Sequence, residues 1–169
     1  MAKITPCLWF DGKAEEAAHF YVSLLPDSQV DVVLPYSVET AGGRPGDVMA
    51  VEFTLAGQPY LALNGGPIFE FTPAISFAIA CADQSEVDRL WNALTDGGQP
   101  DRCGWLKDRY GVSWQIVSSE AVAMLRSGDT EKMKRMTAAM FQMAKPDIAA
   151  LRRAFEGEAP EGGPAPDRA

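Results

Sequence analysis

The sequence has very few residues that bind transition metals, and this scarcity excludes several kinds of site. It contains one histidine, His19, and three scattered cysteines, Cys7, Cys81 and Cys103, with no Cys-x-x-Cys pair. Structural zinc sites and disulfide frameworks need clustered or paired ligands, so neither is expected. An odd number of dispersed cysteines is typical of a reduced compartment, and the cytoplasm is the expected location.

Basic residues are also scarce, and long apolar runs are absent. Lysine and arginine number 15 against 23 aspartate and glutamate residues, giving a net charge of -8. Binding to a nucleic-acid backbone needs clustered positive charge, so no nucleic-acid partner is expected. A membrane helix needs roughly 18 to 20 consecutive apolar residues, and no such run exists. Residues 1–4 lead directly into a strand pattern, so we expect no signal segment and no membrane partner.

One design is present twice in the sequence. Residues 4–25 and 75–94 each contain an apolar strand, a polar break and an amphipathic helix, and short strands with glycine turns follow both. The repeat predicts two similar half-domains. At an offset of 70 positions the matched pairs are Glu16 and Glu86, Ala17 and Val87, Phe20 and Leu90, Tyr21 and Trp91, and Leu24 and Leu94.

Periodicity and turn residues predict the elements of each half. We expect Asp11 to cap the first helix, and Asp83 or Ser85 to cap the second. Asp108 and Gly111 predict a turn that joins the last two strands. The predicted strands are 3–10, 29–35, 49–55, 60–63, 75–82, 101–103, 105–108 and 112–117.

Beyond Ser118 the pattern changes to helices only. A short helix is predicted over 120–126, and Asp129 is expected to cap a second helix. Pro146 suits the start of a third. The predicted organisation is a paired βαβββ domain at 1–118 (modules 1–67 and 73–118), a helical extension at 119–157 and a disordered tail at 158–169. The second helix carries methionines at 133, 136, 140 and 143, for which helix packing or a dimer contact is expected.

Several segments together resemble the vicinal oxygen chelate superfamily (glyoxalases, bleomycin-resistance proteins and dioxygenases). The likeness is strongest to its PhnB-like subgroup, often labelled 3-demethylubiquinone 3-methyltransferase. The resemblance implies an α+β fold in which two βαβββ modules form a curved mixed sheet with a cleft, followed here by C-terminal helices. The matching segments are Ile4-Thr5-Pro6, Leu8-Trp9-Phe10, Ala14-Glu15-Glu16-Ala17, Phe20-Tyr21, Leu63-Asn64-Gly65-Gly66-Pro67, Cys103-Gly104-Trp105-Leu106-Lys107-Asp108 and Tyr110-Gly111-Val112-Ser113-Trp114-Gln115.

The resemblance also implies four positions for ligands to a divalent metal. In this sequence the four positions are occupied by Thr5 or Pro6, by a residue at or near Asn64, by Ser76 and by Gln115. These neutral groups bind divalent metals weakly compared with carboxylate, imidazole or thiolate donors. We therefore expect no metal and no other cofactor. If a metal is bound after all, Glu52 is the carboxylate most suited to act as a ligand.

Five residues are the candidates for binding a ligand in the cleft: Ser76, Gln115, Asn64, Trp9 and Trp105. Ser76 and Gln115 would present neutral hydrogen-bonding groups, or would instead bond to each other or to a buried water. Asn64 would act through its backbone, or would only belong to a turn that links the modules. Trp9 and Trp105 would offer aromatic surface. No catalytic residue is assigned.

Three functions are consistent with these residues. The first is a metal-free PhnB-like protein that binds a small organic molecule in the cleft. The second is a metal-dependent lyase, isomerase or dioxygenase of the same superfamily. The third is a non-catalytic module that contacts a partner through the helical tail. Since family members usually form homodimers, a homodimer is expected, while the sequence leaves enzymatic turnover undecided.

Overall fold

The computed structural model describes residues 3–158. The chain divides into two compact units at the boundary between Thr72 and Pro73. Unit 1 contains β1 (Cys7–Phe10), α1 (Ala14–Val22), β2 (Gln29–Pro35), β3 (Val48–Leu55) and β4 (Gln58–Asn64). Unit 2 contains β5 (Phe77–Cys81), α2 (Gln84–Thr95), β6 (Gln99–Pro100), β7 (Trp105–Lys107), β8 (Ser113–Ser118), α3 (Ser119–Leu125), α4 (Thr130–Met140) and α5 (Ile148–Glu156).

Each unit has a four-stranded mixed sheet, and the two sheets have the same strand order. The orders are β1-β4-β3-β2 in unit 1 and β5-β8-β7-β6 in unit 2. The first and fourth strands of each unit pair in parallel, and the remaining pairs are antiparallel. The predicted α+β fold with two βαβββ modules is confirmed.

In each unit one helix covers one face of the sheet. Side chains alternate between faces along a strand, so Val51 and Phe53 are buried beneath α1 and Trp114 and Ile116 beneath α2. The opposite face of each sheet is called the distal face below. The positions between those buried residues, such as Glu52 and Gln115, lie on the distal faces.

The start of α1 is capped from a distant strand, and the prediction that Asp11 caps it is wrong. Lys13 is at the N-cap and makes no side-chain cap bond. The Asn64 side-chain Oδ1 instead accepts a hydrogen bond from the Ala14 amide at 2.9 Å. Asp83, one of the two caps predicted for α2, and Asp129, the cap predicted for α4, are confirmed, because each accepts a bond from an amide in its helix's first turn.

Most strands differ from their predicted bounds by one or more residues, and three of these differences are described here. β1 begins at Cys7 rather than residue 3, because Pro6 has no amide hydrogen to donate and Ile4 is 83% exposed. β5 is likewise shorter, with Ile75 exposed before it. β6 lies at Gln99–Pro100 rather than 101–103, since Cys103 has a positive φ of 58°, which turns the chain.

Helices α3, α4 and α5 form a second apolar cluster in unit 2. Met136 is fully buried there, and Met133, Met140 and Met143 pack against the cluster, so the predicted helix packing is confirmed. An ion pair between Arg152 and Glu120, at 2.6 Å, joins α5 to α3 and lowers the pKa of the Glu120 carboxyl through its hydrogen bonds. Over residues 3–158, no helix is both long and apolar enough to cross a membrane. The tail predicted to be disordered lies outside the described residues except for Glu158.

Candidate functional site

The distal face of unit 2 brings three of the five candidate residues together. Trp105 on β7 lies directly opposite Gln115 on β8 in the antiparallel register. The Gln115 Nε2 donates a hydrogen bond to the Ser76 Oγ at 2.9 Å. A carboxamide, a hydroxyl and an indole therefore share one small patch of the sheet.

The Gln115 and Ser76 side chains use only part of their hydrogen-bonding capacity on each other. A glutamine side chain has two N–H donors and a carbonyl oxygen that accepts. Among residues 3–158, no donor reaches the Gln115 Oε1. The predicted mutual bond exists, and it fixes the orientation of Gln115 while its carbonyl oxygen stays available to a ligand.

Asp108 fixes the register that places Trp105 opposite Gln115. Its carboxylate is buried, with 3% exposure. The Oδ1 accepts hydrogen bonds from the Tyr110 and Val112 amides at 2.8 and 3.0 Å, and the Oδ2 accepts from the Trp114 Nε1 at 2.8 Å. The predicted turn at this aspartate is confirmed, and the carboxylate additionally anchors the indole beneath α2.

In unit 1 the Asn64 side chain lies on the face covered by α1, not on the distal face. It is buried, its Oδ1 caps α1, and its Nδ2 donates to the Val48 carbonyl at 2.9 Å. The backbone carbonyl of Asn64 accepts a hydrogen bond from the Tyr36 hydroxyl. The carboxamide thus holds α1 and β3 to the end of β4, and ligand binding through the neighbouring backbone stays a prediction.

Trp9 lies on the distal face of unit 1, as its pairing with Leu63 requires. Its Nε1 donates to the Gly66 carbonyl at 2.8 Å, and its ring meets the Phe69 ring edge-on with centroids 5.1 Å apart. A Cβ on Gly65 would overlap the Trp9 ring. The segment after β4 is therefore fixed against the indole, whose side chain stays half-exposed.

A pocket of about 420 Å³ lies beside Glu52 on unit 1. The Thr5 Oγ1 is buried and has no hydrogen-bond partner among the described residues. Asp31 is already engaged, since it accepts bonds from Gln29 and Thr54. The lining residues are Thr5, Asp31, Glu52, Phe53, Thr54, Pro59, Tyr60 and Leu61.

Glu52 and Leu61 are neighbours on the distal face of unit 1, because the two-residue turn at Ala56-Gly57 pairs Leu55 with Gln58 and hence Glu52 with Leu61. Leu61 also pairs with Cys7 in the parallel β1–β4 ladder. The expected metal position near Asn64, at the end of β4, stays a prediction.

The residues at the expected metal positions do not fit a divalent metal. They comprise an asparagine, a serine, a glutamine and a threonine or proline, none of which is anionic or an imidazole. Within residues 3–158, no group of at least three His, Cys, Asp or Glu residues is arranged to hold a metal ion. No step that depends on a metal is derived from this donor set.

The cysteines have the character of structural residues in unit 2. Cys81 is fully buried, and burial, with the nearby Glu86 carboxylate, raises the pKa of its thiol to about 11. A thiol with such a pKa is almost entirely protonated at neutral pH and is a poor nucleophile. Cys103 is half-buried at a turn. All three cysteines of the chain are free thiols.

The repeated βαβββ topology, with a neutral patch on one distal face, is that of a vicinal oxygen chelate protein of the PhnB-like type. A family model described as 3-demethylubiquinone-9 3-methyltransferase matches residues 2–117. The chain belongs to this family. The match ends at residue 117, so helices α3 to α5 lie outside it.

Two solved structures illustrate the likeness. The PhnB protein from Bacillus cereus is 36% identical, with a TM-score of 0.64, and the alignment covers 70% of this chain and 100% of that chain. Protein PA1353 from Pseudomonas aeruginosa is 23% identical, with a TM-score of 0.59, and the alignment covers 70% of this chain and 98% of that chain. The second likeness supports the fold alone. No curated protein matches this chain.

Proposed function

We propose that this protein binds a small organic molecule on the distal face of unit 2 without a metal. The observation that carries the proposal is the Gln115–Ser76 hydrogen bond, which orients the Gln115 side chain beside Trp105. The Gln115 Oε1 accepts no hydrogen bond from residues 3–158 and can accept one from a ligand. An oriented carbonyl next to an aromatic surface can recognise a molecule that offers one N–H or O–H group and an apolar body. Trp9 offers similar aromatic surface in unit 1.

The proposal concerns binding and does not include methyl transfer. A nucleotide-like methyl donor usually lies on a glycine-rich turn between a strand and a helix. Gly42-Gly43 lies between β2 and β3, and Gly65-Gly66 follows β4. Neither pair opens a helix, so the activity in the family's description is left out of the proposal.

Thermal unfolding of the whole chain with a library of neutral metabolites tests this function. A ligand that binds only the native state raises the midpoint of unfolding. We expect hits with the natural protein and about a fivefold loss of affinity for those hits in Gln115→Leu, since one hydrogen bond is removed.

Gln142→Leu is the matched control, because Gln142 is an exposed glutamine outside the patch. Its affinity for the same hits should equal that of the natural protein. The proposal fails if the library gives no hits, or if the hits bind Gln115→Leu and the natural protein equally.

The unit 1 pocket supports a second candidate, a metal-dependent lyase, isomerase or dioxygenase. Glu52 lines this pocket together with the unpartnered Thr5 Oγ1. A carboxylate and a hydroxyl oxygen would hold only a weakly bound cation without further ligands. The two candidates differ in whether the purified protein retains a divalent metal.

We also propose a cytoplasmic homodimer. The three free thiols support a reduced compartment, and exposed large apolar side chains support contact with a second copy or another partner. A monomer mass in solution would contradict the dimer. Those exposed side chains in the described residues include Ile4, Val32, Val33, Val38, Ile68, Phe69 and Ile75.

A further inference from the structure

The helical extension that lies outside the family match builds a pocket at one end of the unit 2 patch. Its volume is about 290 Å³. Trp105 and Gln115 contribute from the sheet, and the apolar wall comes from helices α3 and α4 and the residues that follow α4. The wall residues used in the argument are Leu125, Met140, Phe141 and Met143.

We propose that this wall selects the ligand: a neutral molecule with a flat apolar body and one N–H or O–H group that donates to the Gln115 Oε1. This inference rests on the proposed function, because it uses the same Gln115 and Trp105. It adds a specificity element from helices α3 and α4, which lie beyond the residues that the family model matches.

The chemistry of the lining favours an uncharged ligand. No Asp, Glu, Lys or Arg lines this pocket. A charged molecule would lose its hydration without gaining an ion pair. Met140 and Met143 are half-buried, and unbranched methionine side chains adapt to the shape of an apolar partner.

The wall is held in place by hydrogen bonds from the turn before β7 and from α2. The Cys103 and Gly104 amides donate to the Met143 and Ala144 carbonyls, both at 2.8 Å. A substituent on Gly104 would overlap the Ile116 carbonyl, so this close approach requires glycine.

A second clamp comes from Gln84 at the start of α2. Its Nε2 donates to the Pro146 carbonyl at 3.0 Å, and its Oε1 accepts from the Ile148 amide at 2.9 Å. The segment that carries Met143 is therefore fixed at both ends, and the pocket is a preformed feature of unit 2.

Methyl NMR of the full chain, labelled at the methionine methyl groups, tests the inference with indole as the probe. We expect indole to shift the methyl signals of Met140 and Met143 and to leave that of Met49, in unit 1, unchanged. 1-Methylindole has the same apolar body without the N–H, so its affinity should be about fivefold lower. Equal affinities for the two probes, or unmoved Met140 and Met143 signals, would overturn the inference.

Two phenylalanine variants test whether indole binding depends on the wall or on exposed aromatic residues in general. Phe141 is 58% exposed and Phe69, in unit 1, is 64% exposed, so Phe141→Ala and Phe69→Ala should both fold. Phe141→Ala should weaken indole binding about three- to tenfold through the lost aromatic contact, and Phe69→Ala should leave it unchanged.

The failure of this inference is distinguishable from the failure of the proposed function. Metabolites whose affinity falls in Gln115→Leu but not in Phe141→Ala would show that the wall does not select the ligand, while the proposed binding function would stand. Metabolite screening without any hit would overturn the function itself. The methyl signals of Met140 and Met143 also test for contact between copies of the chain. If they change with protein concentration and not with indole, the wall is a contact between copies and does not select the ligand, which would overturn the inference.

Discussion

Asp108→Ala is expected to lower the free energy of unfolding by about 3–5 kcal/mol. The substitution leaves two backbone amides and the Trp114 Nε1 without the carboxylate that accepts their hydrogen bonds. The bonds from the Val112 amide and the Trp114 Nε1 are buried, so water cannot replace the carboxylate there without opening the structure. Urea unfolding followed by tryptophan fluorescence measures the change.

Asp96→Ala is the matched control within the same unit. Asp96 is exposed, and its ion pair with Arg109 lies at the surface. Such pairs contribute about 0–1 kcal/mol, so the control should unfold almost as the natural protein does. Equal effects of the two substitutions would show that the buried carboxylate does not hold the β7–β8 turn. Because that turn sets Trp105 opposite Gln115, the Asp108 variant should also bind ligand more weakly.

Asn64→Leu is the second substitution with a large expected effect, about 2–4 kcal/mol of destabilisation. Leucine fills a similar volume but offers neither an acceptor to the Ala14 amide nor a donor to the Val48 carbonyl. The first turn of α1 would lose its cap, and the end of β4 would lose its tie to β3.

Asn92→Leu is the control for this substitution, because Asn92 is an exposed asparagine on α2. It should change stability by less than about 0.5 kcal/mol. Amide hydrogen exchange adds local detail: in Asn64→Leu the first turn of α1 should exchange faster than in the natural protein. Unchanged exchange at Ala14 would contradict the role of Asn64 as a distant cap.

Local patterns predicted most of the fold. Apolar residues at helical spacing, Val87, Leu90, Trp91 and Leu94, form the buried side of α2, and alternation along β8 places Trp114 and Gln115 on opposite faces of the sheet. Both rest on the geometry of a single helix or strand. The Ser76–Gln115 bond is one of the two interpretations given for these residues, because the family resemblance places both at one site.

Features that depend on long-range contacts could not be predicted. The cap of α1 comes from Asn64, which is 50 residues from Ala14, whereas local spacing favoured Asp11. The pocket beside Gln115 depends on how α3 and α4 dock, and Gln84 fixes that docking from 64 residues before Ile148. The residue pattern within one segment does not show which distant residues it will contact in the fold.

The metal content of the natural protein, measured by elemental analysis after purification without chelators, tests the central claim most directly. The account predicts far less than one equivalent of any divalent metal per chain, with no difference between the natural protein, Gln115→Leu and Glu52→Gln. A stoichiometric divalent metal that is lost in either variant would contradict it.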